Sequence, residues 1–215
     1  MNKAAAMKLD PFYPIFDSAD WLARMLPLGV KLVQLRVKDR SEIETGREIA
    51  RAKTLCAAAG CVLVVNDYWH LAIEEGCDFV HLGQEDLDGA DLDAIRKAGI
   101  RLGVSSHDEA ELERALATKP DYVALGPVYP TILKAMKWGP QGLDRVTEWK
   151  RRISDIALVG IGGIFQIHYD GELIWDRKTE GGFPDSKVLK QRVRDRLDPQ
   201  RSLGHVDGHV AVESV

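Results

Sequence analysis

The sequence predicts an α/β fold made of repeated βα units. Short apolar runs typical of buried strands alternate with longer helical patterns at intervals of roughly 20 to 30 residues. Glycines stand where three of the helices should end before the next strand, at Gly60, Gly76 and Gly99. Seven strands can be counted, which exceeds the roughly five of a flavodoxin-like sheet and indicates the front of a (β/α)8 barrel.

Each predicted strand is a short apolar run, and helical patterns lie between the strands. In chain order, the predicted strands are Tyr13–Phe16, Leu32–Arg36, Val62–Asn66, Phe79–Leu82, Arg101–Ser105, Tyr122–Gly126 and Ala157–Ile161. The segment Ser41–Ala59 is predicted to be a helix with a capping box, because Glu44 follows Ser41 by three residues. Asp108 is predicted to open a further helix that runs to Ala117.

Length and composition fit one soluble domain, or one domain with an appendage. The net charge of -4 argues against general nucleic-acid binding, which requires a basic surface. No apolar run approaches the roughly 20 residues of a membrane span, and residues 1–9 are too weakly apolar for a secretory signal. We therefore expect a cytoplasmic protein with no membrane or nucleic-acid partner. The three cysteines lack metal-site spacing, so we expect buried thiols.

Three successive predicted strands end in charged and amide side chains. Because the carboxyl ends of parallel strands meet at one edge of a sheet, these side chains should gather there. They are Gln34, Arg36 and Lys38 after the second strand, Asn66 and Asp67 after the third, and Gln84, Glu85 and Asp86 after the fourth. Such a combination of cations, carboxylates and amides suits a polyphosphate bound with Mg²⁺.

Seven motifs in order carry a family resemblance. They are Gln34-Leu35-Arg36-x-Lys38, Asn66-Asp67, His81-Leu82-Gly83-Gln84-Glu85-Asp86-Leu87, Gly103-Val104-Ser105-x-His107, Gly126-Pro127-Val128-Tyr129-Pro130-Thr131, Lys134, and Gly160-Ile161-Gly162-Gly163-Ile164. Together they resemble thiamine-phosphate synthase over Tyr13 to Ile164, about three quarters of the chain. Each motif alone would be weak evidence, whereas the ordered set is specific.

The resemblance implies a transferase with a TIM-type barrel and Mg²⁺ as cofactor. Its small-molecule substrates would be hydroxymethylpyrimidine pyrophosphate and a thiazole phosphate, condensed to thiamine phosphate with release of pyrophosphate. In this family the bond from the pyrimidine methylene to oxygen breaks first, and the thiazole nitrogen captures the resulting cation. The resemblance leaves a homo-oligomer open.

The resemblance also implies a role for individual residues. Asp67 and Asp86 would hold Mg²⁺, and Thr131 would donate near the pyrophosphate or the thiazole. Gly162 would let the pyrimidine approach the backbone. The pyrophosphate would be bound by Gln34, Arg36, Lys38, Asn66, Ser105 and Lys134. Among these, the predicted catalytic residues are Arg36, Lys38, Ser105 and Lys134, because charge builds on the departing pyrophosphate.

Simpler interpretations exist for several of these residues. Asp67 and Asp86 could instead cap helices, and Ser105 could be a cap ahead of Asp108. Lys134 could be a solvated lysine beside Lys137. The cations after the second strand could form a solvated strand end, although their i, i+2 spacing places them on one face. His81 is predicted to be packed or hydrogen-bonded inside the barrel.

The chain departs from the family pattern at two places. Leu133 replaces a second threonine before the loop lysine. After Ile164 the family pattern ends, and alternating apolar residues about Asp170-Gly171 predict a β-hairpin. The segment from about Phe165 to Asp207 resembles the C-terminal half of the selenoprotein-W-like Rdx family. The motifs that carry this resemblance are Arg177-Lys178-x-x-Gly181-Gly182-Phe183-Pro184-Asp185, a helical Ser186 to Arg196, and Leu203-Gly204-His205.

These departures predict two domains, a barrel over residues 1–164 and an α+β tail of hairpin and helix over 165–215. The barrel would be incomplete, with seven strands. It would also lack the acceptor half of the site, since barrel phosphate sites are commonly built after strands 7 and 8. Two alternatives therefore stay open. One is a thiazole tautomerase-like barrel, and the other is a non-catalytic pyrophosphate binder or redox-partner adaptor, although the tail lacks the CxxC of the Rdx family.

Overall fold

The computed structural model describes residues 8–130, 138–153, 155–162, 166–169, 171–176, 179–180 and 186–200. It divides the chain into two compact units, Met1–Gly162 and Gly163–Val215. The assignment of residues 165–215 to a separate Rdx-like domain stays a prediction. No helix in the described ranges is both long enough and apolar enough to cross a bilayer.

The first unit contains a curled parallel sheet in which each strand pairs with the next one along the chain. Its seven strands lie in the order β1 to β7, so that β1 and β7 are the two edges. They are β1 Ile15–Phe16, β2 Leu32–Leu35, β3 Val62–Asn66, β4 Phe79–Leu82, β5 Arg101–Ser106, β6 Tyr122–Leu125 and β7 Ala157–Gly160. This architecture confirms the predicted α/β class and matches an incomplete TIM-like barrel.

A helix follows each of the first six strands. These helices are α1 Ala19–Met25, α2 Glu42–Ala59, α3 Trp69–Glu74, α4 Leu92–Lys97, α5 Glu109–Ala117 and α6 Gly142–Arg152. The capping box of α2 is confirmed, since the Glu44 amide donates to the Ser41 hydroxyl and the Glu44 carboxylate accepts from the Ser41 amide. Asp108 caps α5 by accepting from the Glu111 amide at 2.9 Å. These caps satisfy amides that have no partner within the helix.

Two apolar clusters cover the two faces of the sheet. Alternation along β6 shows the division, because Val123 belongs to the larger cluster beneath the helices and Tyr122 and Ala124 belong to the smaller one. Leu32, Val64 and Phe79 complete the buried part of the smaller cluster, which lies inside the curled sheet. Side chains two residues apart on a strand share a face, so polar residues in step with Tyr122 point toward the interior.

The second unit contains two antiparallel strands and a helix. β8 Gln166–Tyr169 pairs with β9 Glu172–Asp176, and α7 spans Ser186–Leu197. Arg192 of α7 donates to the Ile174 carbonyl at 3.0 Å and lies over the Trp175 ring, with its carbon Cζ 4.6 Å from the ring centre. Since Arg192 also pairs with Glu180, one arginine ties the helix to the second strand and to the turn that follows it.

Candidate active site

The carboxyl ends of β2 and β3 bring a lysine and an aspartate into contact. Lys38 follows β2, and its Nζ donates to Asp67 Oδ2 at 2.7 Å. Asp67 directly follows β3 and has a left-handed backbone, with φ of 66°. Asp and Asn adopt this conformation more readily than other residues with a side chain. The helix after β3 has Tyr68 at its N-cap and no side-chain cap bond, so the interpretation of Asp67 as a helix cap is wrong.

Asp86 lies beside Asp67. Burial raises the pKa of Asp86, and so does the negative charge of Asp67, while Lys38 acts in the opposite direction. One Asp86 oxygen, Oδ2, accepts from the Gly83 amide at 2.9 Å. That bond closes a turn after β4 and leaves the 3-10 turn Asp86–Asp88 without a side-chain cap. The two carboxylates predicted as magnesium ligands are therefore neighbours.

A divalent cation fits this pair of carboxylates. Burial is the main cause of the raised pKa of Asp86, and repulsion by the Asp67 charge adds to it; a cation between the two carboxylates would relieve that repulsion. The described residues include no group of three or more His, Cys, Asp or Glu arranged to hold a metal ion. Two carboxylates are nevertheless enough for Mg²⁺, which usually takes one or two of them and completes its shell with water and phosphate oxygens.

The end of β3 also holds an unpaired donor. Asn66 is 5% exposed, and its Nδ2 has no hydrogen-bond partner among the described residues. A buried N–H without a partner costs free energy, so it usually has a function or a ligand. Arg36 is exposed directly after β2, where its positive charge lowers the pKa of His81. Arg36 and Asn66 thus add a cation and a donor to the same edge.

Ser105 lies within β5, and the cap of the next helix is Asp108, so the interpretation of Ser105 as a helix cap is wrong. The Ser105 hydroxyl lies 2.8 Å from His81 Nε2. Gln84, which the sequence placed in the third polar group, donates from Nε2 to the Ser105 carbonyl at 2.7 Å. Its amide therefore joins the ends of β4 and β5.

A polar chain crosses the interior of the curled sheet. Gln34 Nε2 donates to the Tyr13 hydroxyl at 3.2 Å, and that hydroxyl lies 2.9 Å from the Tyr122 hydroxyl. The Tyr122 hydroxyl lies 2.7 Å from His81 Nδ1, and the chain ends at Ser105. This arrangement confirms the prediction of a hydrogen-bonded His81. Neither tyrosine was predicted from the sequence to belong to the site, although Tyr122 occupies an inward-facing position of β6, which was a usable signal.

Burial shifts the acidity of this interior chain. It lowers the pKa of His81 to about 4, which keeps the imidazole neutral at physiological pH. Burial also raises the pKa of Tyr13 to about 12 and moves that of Tyr122 well above its ordinary value. The interior of the site is therefore lined by neutral hydrogen-bonding groups, and its charges lie at the edge.

A cavity of about 400 Å³ opens beside this chain. Its walls include Tyr13, Gln34, His81, Tyr122 and Gly162. Gly162 has φ of 71°, and a Cβ there would approach Pro127 Cβ to 3.0 Å. The fold itself therefore requires a glycine at this position, which is a different reason from the predicted approach of a ligand. The structure does place Gly162 in the cavity wall.

Two of the predicted site residues, Thr131 and Lys134, lie outside the described residues, as does Leu133. The chain after them is anchored near the end of β5. The Trp138 ring stacks on His107 with 4.1 Å between ring centres, and Gln141 Nε2 donates to the His107 carbonyl at 2.8 Å. The loop between β6 and α6 therefore returns to the fold next to the strand that carries Ser105.

Residues 12–170 match the model of a protein family described as thiamine monophosphate synthase. The chain belongs to this family. It is 67% identical over 158 residues to the thiamine-phosphate synthase of Rhizobium etli, a match that covers 74% of this chain and 78% of the relative. The enzyme of the same name from Enterobacter sp. (strain 638) is 49% identical over 152 residues, covering 71% of this chain and 72% of the relative.

A solved thiamine phosphate pyrophosphorylase from Pyrococcus furiosus superposes with a TM-score of 0.61 at 25% identity, covering 71% of this chain and 74% of that one. Thiamine-phosphate synthase function and the transferase class follow from the family and from these relatives. Its substrates are accordingly small molecules. The tautomerase-like and non-catalytic alternatives are not favoured by these similarities.

Proposed function

We propose that the chain condenses hydroxymethylpyrimidine pyrophosphate with a thiazole phosphate in a Mg²⁺-dependent reaction. The observation that carries this proposal is the contact of Lys38 with Asp67 beside Asp86 at the carboxyl edge of the sheet. Lys38 follows β2, Asp67 follows β3 and Asp86 follows β4, so the charges come from three neighbouring strands. Here both kinds of charge meet, which suits a pyrophosphate bound together with a metal ion.

In this proposal the pyrophosphate is held by donors from the ends of three strands, β2, β3 and β5. Arg36 and Lys38 supply positive charge, and the Asn66 amide and the Ser105 hydroxyl supply neutral donors. The orphaned Nδ2 of Asn66 supports this assignment, because a phosphate oxygen would satisfy it. Donors placed before the reaction stabilise the negative charge that grows as pyrophosphate departs. Lys134 and Gln34 complete this set in the proposal, and Gln34 is buried inside the sheet, where its Nε2 donates to Tyr13.

Asp67 and Asp86 are the residues that would hold Mg²⁺. When bound, the ion supplies charge neutralisation for the leaving pyrophosphate. Lys38 already neutralises part of the Asp67 charge. The protein therefore keeps one lysine within reach of both the metal ligands and the leaving group.

The cavity of about 400 Å³ is the proposed pyrimidine pocket. Its size lies in the range of small-molecule sites, and its walls combine aromatic rings with a few fixed polar groups, as such sites do. The neutral His81 imidazole lines it, so no positive charge from this ring opposes a cationic pyrimidine. The backbone at Gly162 forms part of the wall, and Thr131 is assigned to the side of the thiazole.

The experiment is a calorimetric titration with the pyrimidine pyrophosphate and Mg²⁺, followed by addition of thiazole phosphate and an assay for thiamine phosphate. We expect binding that requires Mg²⁺ and is lost in Asp67→Asn. Asp93→Asn is the matched control, because Asp93 lies on the exposed side of α4 and pairs with Arg96. Absence of Mg²⁺-dependent binding by the unmodified chain would contradict the proposal.

Three further assignments stay predictions. They are the cytoplasmic location, the homo-oligomer and the Rdx-like character of the C-terminal segment.

A further inference from the structure

The polar chain inside the sheet joins two residues that the proposed function assigns to the pyrophosphate. It starts at Gln34 on β2 and ends at Ser105 on β5, and Tyr13, Tyr122 and His81 stand between them. His81 is 4% exposed, and both of its ring nitrogens face oxygen atoms of other side chains. Since a neutral His81 carries its ring proton on one nitrogen or the other, two continuous proton directions are possible along this chain.

The first direction gives every interior proton an acceptor. The Gln34 amide donates to Tyr13, Tyr13 donates to Tyr122, and Tyr122 donates to His81 Nδ1. The remaining ring proton, on Nε2, then points to the Ser105 oxygen. The Ser105 proton is left free at the carboxyl edge, where a ligand could accept it.

The opposite direction leaves the proton of half-buried Tyr13 without an acceptor among the described side chains. Ser105 would donate to His81, His81 to Tyr122, and Tyr122 to Tyr13. The Tyr13 oxygen would then accept from both Tyr122 and Gln34, and no described side chain would accept the Tyr13 proton. Only the first direction pairs every proton inside the sheet and leaves the free one at the carboxyl edge, where the proposed function places the pyrophosphate, so this is the direction that we adopt.

The backbone is shaped around this chain. His81 pairs in register with Gly103, and Gly103 with Tyr122, so the glycine lies between the two rings. A Cβ at Gly103 would lie 2.1 Å from Tyr122 Cζ. The Tyr122 ring can therefore cross β5 and stack on His81, with 5.5 Å between ring centres and 11° between planes. Because Gly103 has no Cβ, the Tyr122 hydroxyl can reach His81 Nδ1.

We propose that His81 is a positioning residue, which donates its Nε2 proton to the Ser105 oxygen and so directs the Ser105 proton toward the pyrophosphate. This inference rests on the proposed role of Ser105. His81 also lines the proposed pyrimidine pocket, but the role proposed here is exerted through Ser105. Its role is to prevent the Ser105 hydroxyl from donating its proton to a group inside the fold.

Nitrogen-15 NMR of histidine-labelled protein tests the proton direction without any ligand. The chain has six histidines, and the signal that disappears in His81→Gln identifies His81. We expect a proton on Nε2 and none on Nδ1 at pH 7.5. A proton on Nδ1 would overturn the inference, because Tyr122 would then be the acceptor and Ser105 the donor.

A double-mutant cycle tests the functional consequence. Ser105→Ala should lower kcat/KM for the pyrimidine pyrophosphate by about tenfold or more, the loss expected for a hydrogen bond to a charged group. His81→Phe, which keeps a ring against Tyr122, should cost about tenfold in the unmodified chain and less than about twofold in the Ser105→Ala background. His81→Gln restores a donor and should recover part of the loss.

The outcomes separate this inference from the proposed function. Equal losses from His81→Phe in both backgrounds would mean that His81 acts independently of Ser105, and would overturn the inference alone. An unaltered kcat/KM in Ser105→Ala would refute the role of Ser105 itself, and with it the functional part of the inference. Circular dichroism of each variant shows whether a loss is due to unfolding.

Discussion

The Asp86 carboxyl lies close to the Asp67 carboxyl, and burial together with the Asp67 charge raises its pKa. A carboxyl with a higher pKa in the folded protein than in the unfolded chain is ionised at a cost to folding. The folded protein therefore holds this proton more tightly, and the contribution of Asp86 to the free energy of unfolding falls as the pH rises. The same repulsion makes the pair a receptor for a cation.

We predict that Asp86→Asn raises Tm at pH 7.5 in the presence of a chelator, because the neutral amide removes the repulsion and still accepts from the Gly83 amide. The gain should vanish near pH 4, where the ordinary carboxyl is about half protonated, and should level off above the raised pKa. Thermal unfolding followed across this range measures it. Mg²⁺ should stabilise the unmodified chain and leave the variant unchanged.

The control for this comparison is again Asp93→Asn, whose exposed carboxylate pairs with Arg96. It should leave both the pH dependence and the Mg²⁺ effect as they are. A lower Tm in Asp86→Asn under chelator would contradict the interpretation, since it would show that the Asp86 charge stabilises the fold.

Asn66 gives a second prediction at this scale. Its Nδ2 is buried without a partner, so Asn66→Ala removes a donor that costs the free protein about 1–3 kcal/mol. We expect Tm to change little, because this gain offsets the lost packing. Affinity for pyrophosphate with Mg²⁺ should nevertheless fall about tenfold or more, as expected for a hydrogen bond to a charged group. Calorimetry measures the affinity and thermal unfolding of the same sample measures Tm. An unaltered affinity would show that Asn66 does not bind the pyrophosphate.

In the first unit, the register between neighbouring strands sets the positions of the site residues. Asn66 pairs with His81, His81 with Gly103, and Ser105 with Ala124. A shift of one residue in β4 or β5 would turn His81 or Ser105 to the helix side. The glycine in β5 is consequently part of the site, even though it has no functional group.

We predict that Gly103→Ala destabilises the protein by about 1–3 kcal/mol or more, since overpacking a filled interior costs this much. The Cβ would collide with Tyr122 and push its ring away from His81. Activity should fall further than stability alone explains, because Ser105 loses its orientation. Chemical denaturation and kcat/KM measure the two effects.

Gly89→Ala is the matched control. Nothing lies within 4 Å of a Cβ at Gly89, and its φ of -100° is an ordinary one for alanine. We expect it to alter stability by well under 1 kcal/mol. If Gly103→Ala behaved like this control, the Tyr122 ring would have room to move and the site would not depend on its position.

The whole sheet was predictable from sequence to within a few residues, because buried strands such as Val62–Asn66 are apolar runs that end at polar residues. Strand β1 is shorter than predicted, since it begins at Ile15 and leaves Tyr13 in the preceding segment. The contact of Lys38 with Asp67 was predictable, because the carboxyl ends of β2 and β3 lie at the same edge of the sheet. The polar chain from Gln34 to Ser105 was not predictable, because it depends on register and ring orientation across four strands.

The final prediction concerns the molecule as a whole. The relatives are matched over 78% and 72% of their lengths, and the residues assigned to the pyrophosphate all lie within the matched segment 12–170. Within the part of the chain that the structure describes, β1 and β7 each pair with a single strand. We therefore expect the protein to promote departure of pyrophosphate more effectively than capture of the pyrimidine cation by the thiazole.

Such a protein should release pyrophosphate in excess of the thiamine phosphate that it forms. The methylene–oxygen bond breaks with its electron pair leaving on pyrophosphate, and water then adds to the pyrimidine cation and loses a proton. Parallel assays of pyrophosphate and thiamine phosphate measure the ratio, and Asp67→Asn should abolish both. A ratio of one would contradict this prediction, because it would show that the thiazole phosphate captures every pyrimidine cation before water does.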